Sequence, residues 1–275
     1  MTSRTHQRGY LGMRPGDLED KPYARHWNPQ MAGLPARVQH ALDTGPEAGP
    51  LGFPFSEIGQ LLEPGYLPME DGYTRLHNGQ VFVATRTEMP GTTPEMIDWW
   101  FGWHYMESER YKLWHPRAHV ANGAERMIGD EPGLTDREKY LHNPNYVTEF
   151  IGADLLKIVI AFHPPEEIVD TSRFAEAGIG TMVCGTVSHP ALPITLSRLV
   201  HQVRTTAAGC EMRSRFWLGE LQLAGAARVL EPLVRSRRVL RRAVSLEQGR
   251  ELLVHCAAEM NHLASFLPAL FSDYH

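Results

Sequence analysis

Cysteine is scarce: the chain has 3 in 275 residues (Cys184, Cys210 and Cys256), in separate segments and without a CxxC pair. That pattern excludes a disulfide scaffold and a thiolate zinc site, and it suits a reducing cytoplasm. An excess of positive charge is also missing. Lysine and arginine total 27 against 32 acidic residues, a formal net charge of -5, so no basic face is evident to neutralise phosphates and a nucleic-acid partner is not expected. The one basic cluster, "RSRRVLRR" at 235–242, is interleaved with Val and Leu. It reads as the solvated side of a helix or turn. No window approaches the ~18–20 apolar residues of a membrane span. The first residues, "MTSRTHQRGYLGMRPGDLEDKPY", hold no apolar core of signal-peptide length. A cytoplasmic protein is expected, with no membrane partner.

What the chain does have is unevenly spread. Residues 1–75 collect Pro and Gly ("HWNPQMAGLP", "TGPEAGPLGFPF", "LEPGYLPMEDGY") around short helical fragments. Such a stretch buries little by itself and is expected to wrap the main domain or a second subunit. From residue 76 the pattern changes. "GQVFVATRTEMP" (79–90) reads as a strand closed by Pro90 and Gly91. Residues 93–114 read as one helix, with Thr93 as N-cap and Pro94 at its first position. Strand-like runs follow at 145–152, 155–162, 180–189, 194–206 and 211–221, punctuated by the turn residues that antiparallel hairpins need. Residues 245–271 form a last amphipathic segment, with Leu252, Leu253, Cys256, Met260 and Leu263 at helical spacing. An α+β architecture is expected, in which a curved antiparallel sheet is closed by this helix with a cavity between them.

Four polar groups sit among apolar neighbours. His255 and Glu259 are one helical turn apart, on the stripe of Leu252, Cys256, Met260 and Leu263. A buried Glu is expensive unless paired or bound to a metal, although a helix-end ion pair would also explain this segment. His262 adds an E-x-x-H spacing, but no second E-x-x-H occurs, and a di-iron carboxylate bundle is excluded. In "YKLWHPRAHVAN", Pro116 ends the helix, which leaves His115 to the turn and His119 freer to point inward. In "NYVTEFIG", alternation puts Glu149 on the face of Val147 and Ile151. His119, Glu149, His255 and Glu259 together offer two imidazoles and two carboxylates, a donor set that zinc accepts. Iron or manganese would be satisfied by the same set.

"WWFGWHYMESERYKLWHPRAHVAN", "EFIG", "MRSRFWLG" and "HCAAEMNHLASFLP" in this order resemble the 2,4-diacetylphloroglucinol hydrolase / phloretin hydrolase family over residues 76–270. The resemblance implies a helix-grip fold, like that of the birch pollen allergen, over residues 76–275. It implies that residues 1–75 form an extension used in homodimerisation. It also implies one zinc ion held by His119, Glu149, His255 and Glu259, with Tyr111, Asn122 and His201 contacting the substrate. Phe216 stands where relatives carry a tyrosine, which removes a phenol donor. The implied reaction hydrolyses the carbon–carbon bond between an acyl group and a phloroglucinol-type ring, a small aromatic polyketide. The departing ring carbon must accept a proton, and His201 is the candidate to move it, with Tyr111 and Asn122 holding ring hydroxyls or the carbonyl. The rivals are a helix-grip carrier without catalysis, and a decarboxylase or oxygenase using iron at the same ligands.

Overall fold

The computed structural model describes residues 12–14 and 16–275. The rest of the expected dimerisation arm, residues 1–11 and residue 15, lies outside the described residues. The strands are β1 (Gly72–Arg75), β2 (Val81–Pro90), β3 (His119–Ala124), β4 (Asn145–Ile151), β5 (Asp154–His163), β6 (Ile179–Ser188), β7 (Ile194–Thr206) and β8 (Gly209–Leu223). They form one antiparallel sheet in the order β1-β2-β8-β7-β6-β5-β4-β3. The helices are α1 (Ala36–Thr44), α2 (Pro94–Trp103), α3 (Ser108–Trp114), α4 (Asp136–Tyr140), α5 (Glu231–Val234), α6 (Arg237–Ala243) and α7 (Leu246–Tyr274). This is the expected α+β helix-grip layout, a sheet wrapped around its C-terminal helix.

Strand alternation divides the core into two layers. Val83, Val183, Leu199, Val203, Met212 and Phe216 face α7, where Leu253, Cys256, Met260, Leu263 and Leu267 meet them. Phe82, Ala84, Met182, Val200 and Trp217 face the other way, under Phe53, Ile58, Leu61, Leu62 and Met69. Each Val, Leu, Ile, Met and Phe among them contributes ~1.5–3 kcal/mol by leaving water. The Pro/Gly-rich stretch therefore supplies the cover of the sheet's second face: Trp217 Nε1 donates to the Phe53 carbonyl at 2.7 Å. Helix α7 begins at a capping box, Ser245 with Gln248, and lies close on β2. A Cβ at Gly249 would come within 2.6 Å of Val81 Cγ1.

One expectation needs correction. Residues 93–114 are not one helix, because the backbone turns extended at Glu107 (φ -146, ψ 139), between α2 and α3. The cause is tertiary, since the Glu107 carboxylate accepts from Tyr23 Oη at 2.8 Å and pairs with Lys21. Strands β1 and β3 carry no sequence signal of their own and form by pairing with β2 and β4. The expected N-cap is present, with the Thr93 side chain accepting from Met96 N at 3.4 Å. Thr93→Ala should cost ~1 kcal/mol, read as a lower denaturant midpoint at unchanged m-value.

Candidate active site and metal centre

The register explains the convergence. His119 lies directly opposite Glu149, and the ladder then shifts by one residue between His119 and Ala121. Such a bulge re-aims a side chain at a strand end. Helix α7 brings His255 and Glu259 over the same spot. His119 Nε2 lies 3.6 Å from Glu149 Oε2 and 3.3 Å from Glu259 Oε2. His255 Nε2 lies 3.7 Å from Glu149 Oε2 and 3.6 Å from Glu259 Oε2. The ligand atoms of His119, His255 and Glu259 all fall within 4.8 Å of one another.

The surroundings orient these groups. The Tyr111 carbonyl lies 2.9 Å from His119 Nδ1. That carbonyl can only accept, so Nδ1 carries the proton and the Nε2 lone pair faces the carboxylates. His119 also stacks on the Tyr111 ring, with centroids 3.7 Å apart and planes at 5°, while the Tyr111 hydroxyl donates to Glu149 Oε2. His255 is hydrogen-bonded to the backbone of Phe150.

No Lys or Arg pairs with the cluster among the described residues. Burial pushes the pKa of His119 well below, and that of His255 below, the ordinary imidazole range, so both stay neutral. Burial, reinforced by Glu149, pushes Glu259 well above the ordinary carboxylate range. Among the described residues, the ion-pair partners of both carboxylates are these imidazoles alone. Two neutral imidazoles and two carboxylates fit a divalent cation, whose charge compensates what burial makes costly.

Glu149, His255 and Glu259 line a cavity of about 70 Å³ whose other walls include Phe101, Trp114, Phe162, Leu199 and Phe216. The family model described as the DAPG hydrolase PhiG domain matches residues 53–272. The chain belongs to this family. A 2,4-diacetylphloroglucinol hydrolase of Pseudomonas sp is 32% identical over 94% of this chain and 90% of its own length. A phloretin hydrolase of Eubacterium ramulus is 26% identical over 95% and 94%. Among solved structures, Ara h 8.0201 aligns with 68% of this chain and 99% of its own at 7% identity and TM-score 0.37. The fold assignment rests on strand order and register.

Within this DAPG hydrolase domain, the remaining expected residues line the same cavity: Tyr111, Asn122, His201 and Phe216. His201, opposite Ser214 in the ladder, shares a 2.8 Å hydrogen bond between its Nδ1 and Ser214 Oγ. Burial lowers its pKa to about 3. Phe216 meets the His201 ring edge-on at 5.7 Å, so that side of the cavity is apolar. Both amide atoms of Asn122 are buried without a hydrogen-bond partner among the described residues. Trp217 packs in the second core layer.

His115 is more than a turn residue. Its ring stacks on His255 with centroids 5.0 Å apart, and its carbonyl accepts from His119 N at 3.0 Å. Two further lining residues, His104 and Asn145, escaped the sequence reading. Burial lowers the His104 pKa to about 4, and its Nδ1 is held by the Trp100 carbonyl at 2.8 Å. Nothing in its helical context marked His104. Asn145 did carry a signal: it heads the alternation Asn145, Val147, Glu149 that placed Glu149 inward.

Proposed function

We propose that the protein hydrolyses the carbon–carbon bond between an acyl group and a phloroglucinol-type ring, releasing a carboxylic acid and the ring with hydrogen in the acyl group's place. The observation that carries this reading is the approach of His119 and His255 to Glu149 and Glu259 beside an aromatic-walled cavity. The names of the two similar hydrolases point to the same substrate class. The four residues would hold one divalent ion, for which we take zinc. When bound, it supplies Lewis acidity to the acyl carbonyl oxygen.

The chain's own groups do the rest. Tyr111 fixes Glu149 through its hydroxyl and presents the same phenol to the cavity. Asn122 offers an unengaged amide to a ring hydroxyl or to the acyl carbonyl. His201 is kept neutral by burial, so it stores no proton at pH 7. An anionic ring beside it raises its proton affinity, so the imidazole can take the proton that the attacking water gives up and hand it to the departing ring carbon. Phe101 and Phe216 flank this imidazole and exclude bulk water. Residues 1–75 would serve a homodimer, which light scattering would read directly.

Metal analysis and incubation with acylphloroglucinols of several chain lengths test the assignment. About one equivalent of divalent ion and stoichiometric release of carboxylic acid are expected. Tight ring binding with no acid released from any of them would overturn it in favour of a carrier.

A further inference from the structure

We infer that Asn145 forms a hydroxyl-accepting subsite at the end of the cavity remote from the carboxylates, selecting rings with a hydroxyl para to the acyl group. The inference rests on the proposed reaction and adds the substituent pattern of its substrate. Asn145 is 1% exposed and lines the cavity. Its Nδ2 donates to the Asn143 carbonyl at 2.8 Å, which fixes the amide, since a flip would set oxygen against oxygen. Its Oδ1 is then the open acceptor, buried and without a partner among the described residues.

The mount is rigid. Asn143 is 0% exposed, donates from Nδ2 to the Arg126 and Lys139 carbonyls, and accepts from Arg126 N at 2.9 Å. An acceptor held this firmly in a dry wall costs folding free energy unless a ligand donor completes it. Asn145 and Glu149 lie on one face of β4, four residues or ~13 Å apart along the strand. Val147 on β4 and Ile160, opposite Asn145 on β5, give apolar wall beside it, with Asn122 opposite Val147 on β3 as the other amide along this face. A flat ring whose acyl oxygen is directed to the carboxylate end places its para hydroxyl at the Asn145 end. Such a donor would satisfy the acceptor that the described residues leave open.

Dissociation constants of metal-loaded full-length protein, read by tryptophan quenching, test this with monoacetylphloroglucinol and its para-deoxy analogue. Wild type should prefer the hydroxylated ketone by roughly 10- to 100-fold. Asn145→Leu and Asn145→Ala should erase that preference while binding the para-deoxy ketone about as wild type does. A folding defect would weaken both ketones together and leave the ratio intact, so the ratio carries the test. An unchanged ratio in both variants, or no preference in wild type, overturns the subsite and leaves Oδ1 to a structural water. If wild type binds and cleaves neither ketone, the hydrolase reading fails with it.

Discussion

Glu259→Gln should lose its divalent ion and drop kcat/KM for acylphloroglucinol hydrolysis on the order of 1000-fold. The amide keeps the shape of the carboxyl but removes its charge, leaving two neutral imidazoles and Glu149 as donors. Stability should move the other way. Burial strongly disfavours the charged form of Glu259, and the amide relieves that cost, so the metal-free variant should melt no lower than metal-free wild type. Added zinc should raise the melting temperature of wild type, because an ion that binds only the native state stabilises it by mass action. The variant should show no such rise. Metal content, melting with and without zinc, and acid release separate the roles. Stoichiometric metal with undiminished activity in Glu259→Gln would sink the ligand assignment.

The sequence was most legible where local pattern and tertiary demand agree. The run 194–206 coincides with β7, and 155–162 lies one residue inside β5 at each end. Both are rich in β-branched residues and bounded by turn formers. β1 is only four residues long, and β3 ("HVANGA") carries Asn and Gly, so both exist because a neighbour pairs with them. The break at Glu107 depends on Lys21 and Tyr23, far away in the chain, and no window around 107 contains that information. In the site, the helical spacing of His255 and Glu259 and the alternation through Glu149 were readable. That His119 stands opposite Glu149 was not, since a bulge sets the register there. His115 was set aside as a turn residue because its contact with His255 joins segments 140 positions apart in sequence.

Glu70→Ala should destabilise the protein by ~3–5 kcal/mol, the usual cost of breaking a buried ion pair from one side. Arg213 and Arg215 are 0% exposed, and both are bound by Glu70: Arg213 through Nε at 2.9 Å and Nη2 at 2.5 Å, Arg215 through Nη2 at 2.5 Å. Burial alone would raise the Glu70 pKa, but the Arg213 hydrogen bond and the Arg215 charge bring it down to about 2. Burial also lowers the pKa of Arg215, so without Glu70 two guanidinium charges remain in a dry layer, hydrogen-bonded to the neutral Gln202 and Ser214 carbonyl groups and opposed at longer range by Asp71. The sign of the pH dependence follows. A carboxyl depressed in the folded state contributes its stability above the unfolded pKa of ~4.5 and loses it as pH falls toward about 2. The gap between wild type and variant in denaturant unfolding should therefore close over that range, while Glu70→Gln, which keeps an acceptor, should lose less at neutral pH. The consequence reaches the cavity, because β8 has two faces. Arg213 and Arg215 point into the layer that Glu70 closes, and between and beside them Ser214 holds His201 while Phe216 walls the site. Loosening the outer layer frees the strand that positions the inner one, so Glu70→Ala should lower acid release before it unfolds the chain, with bound metal retained.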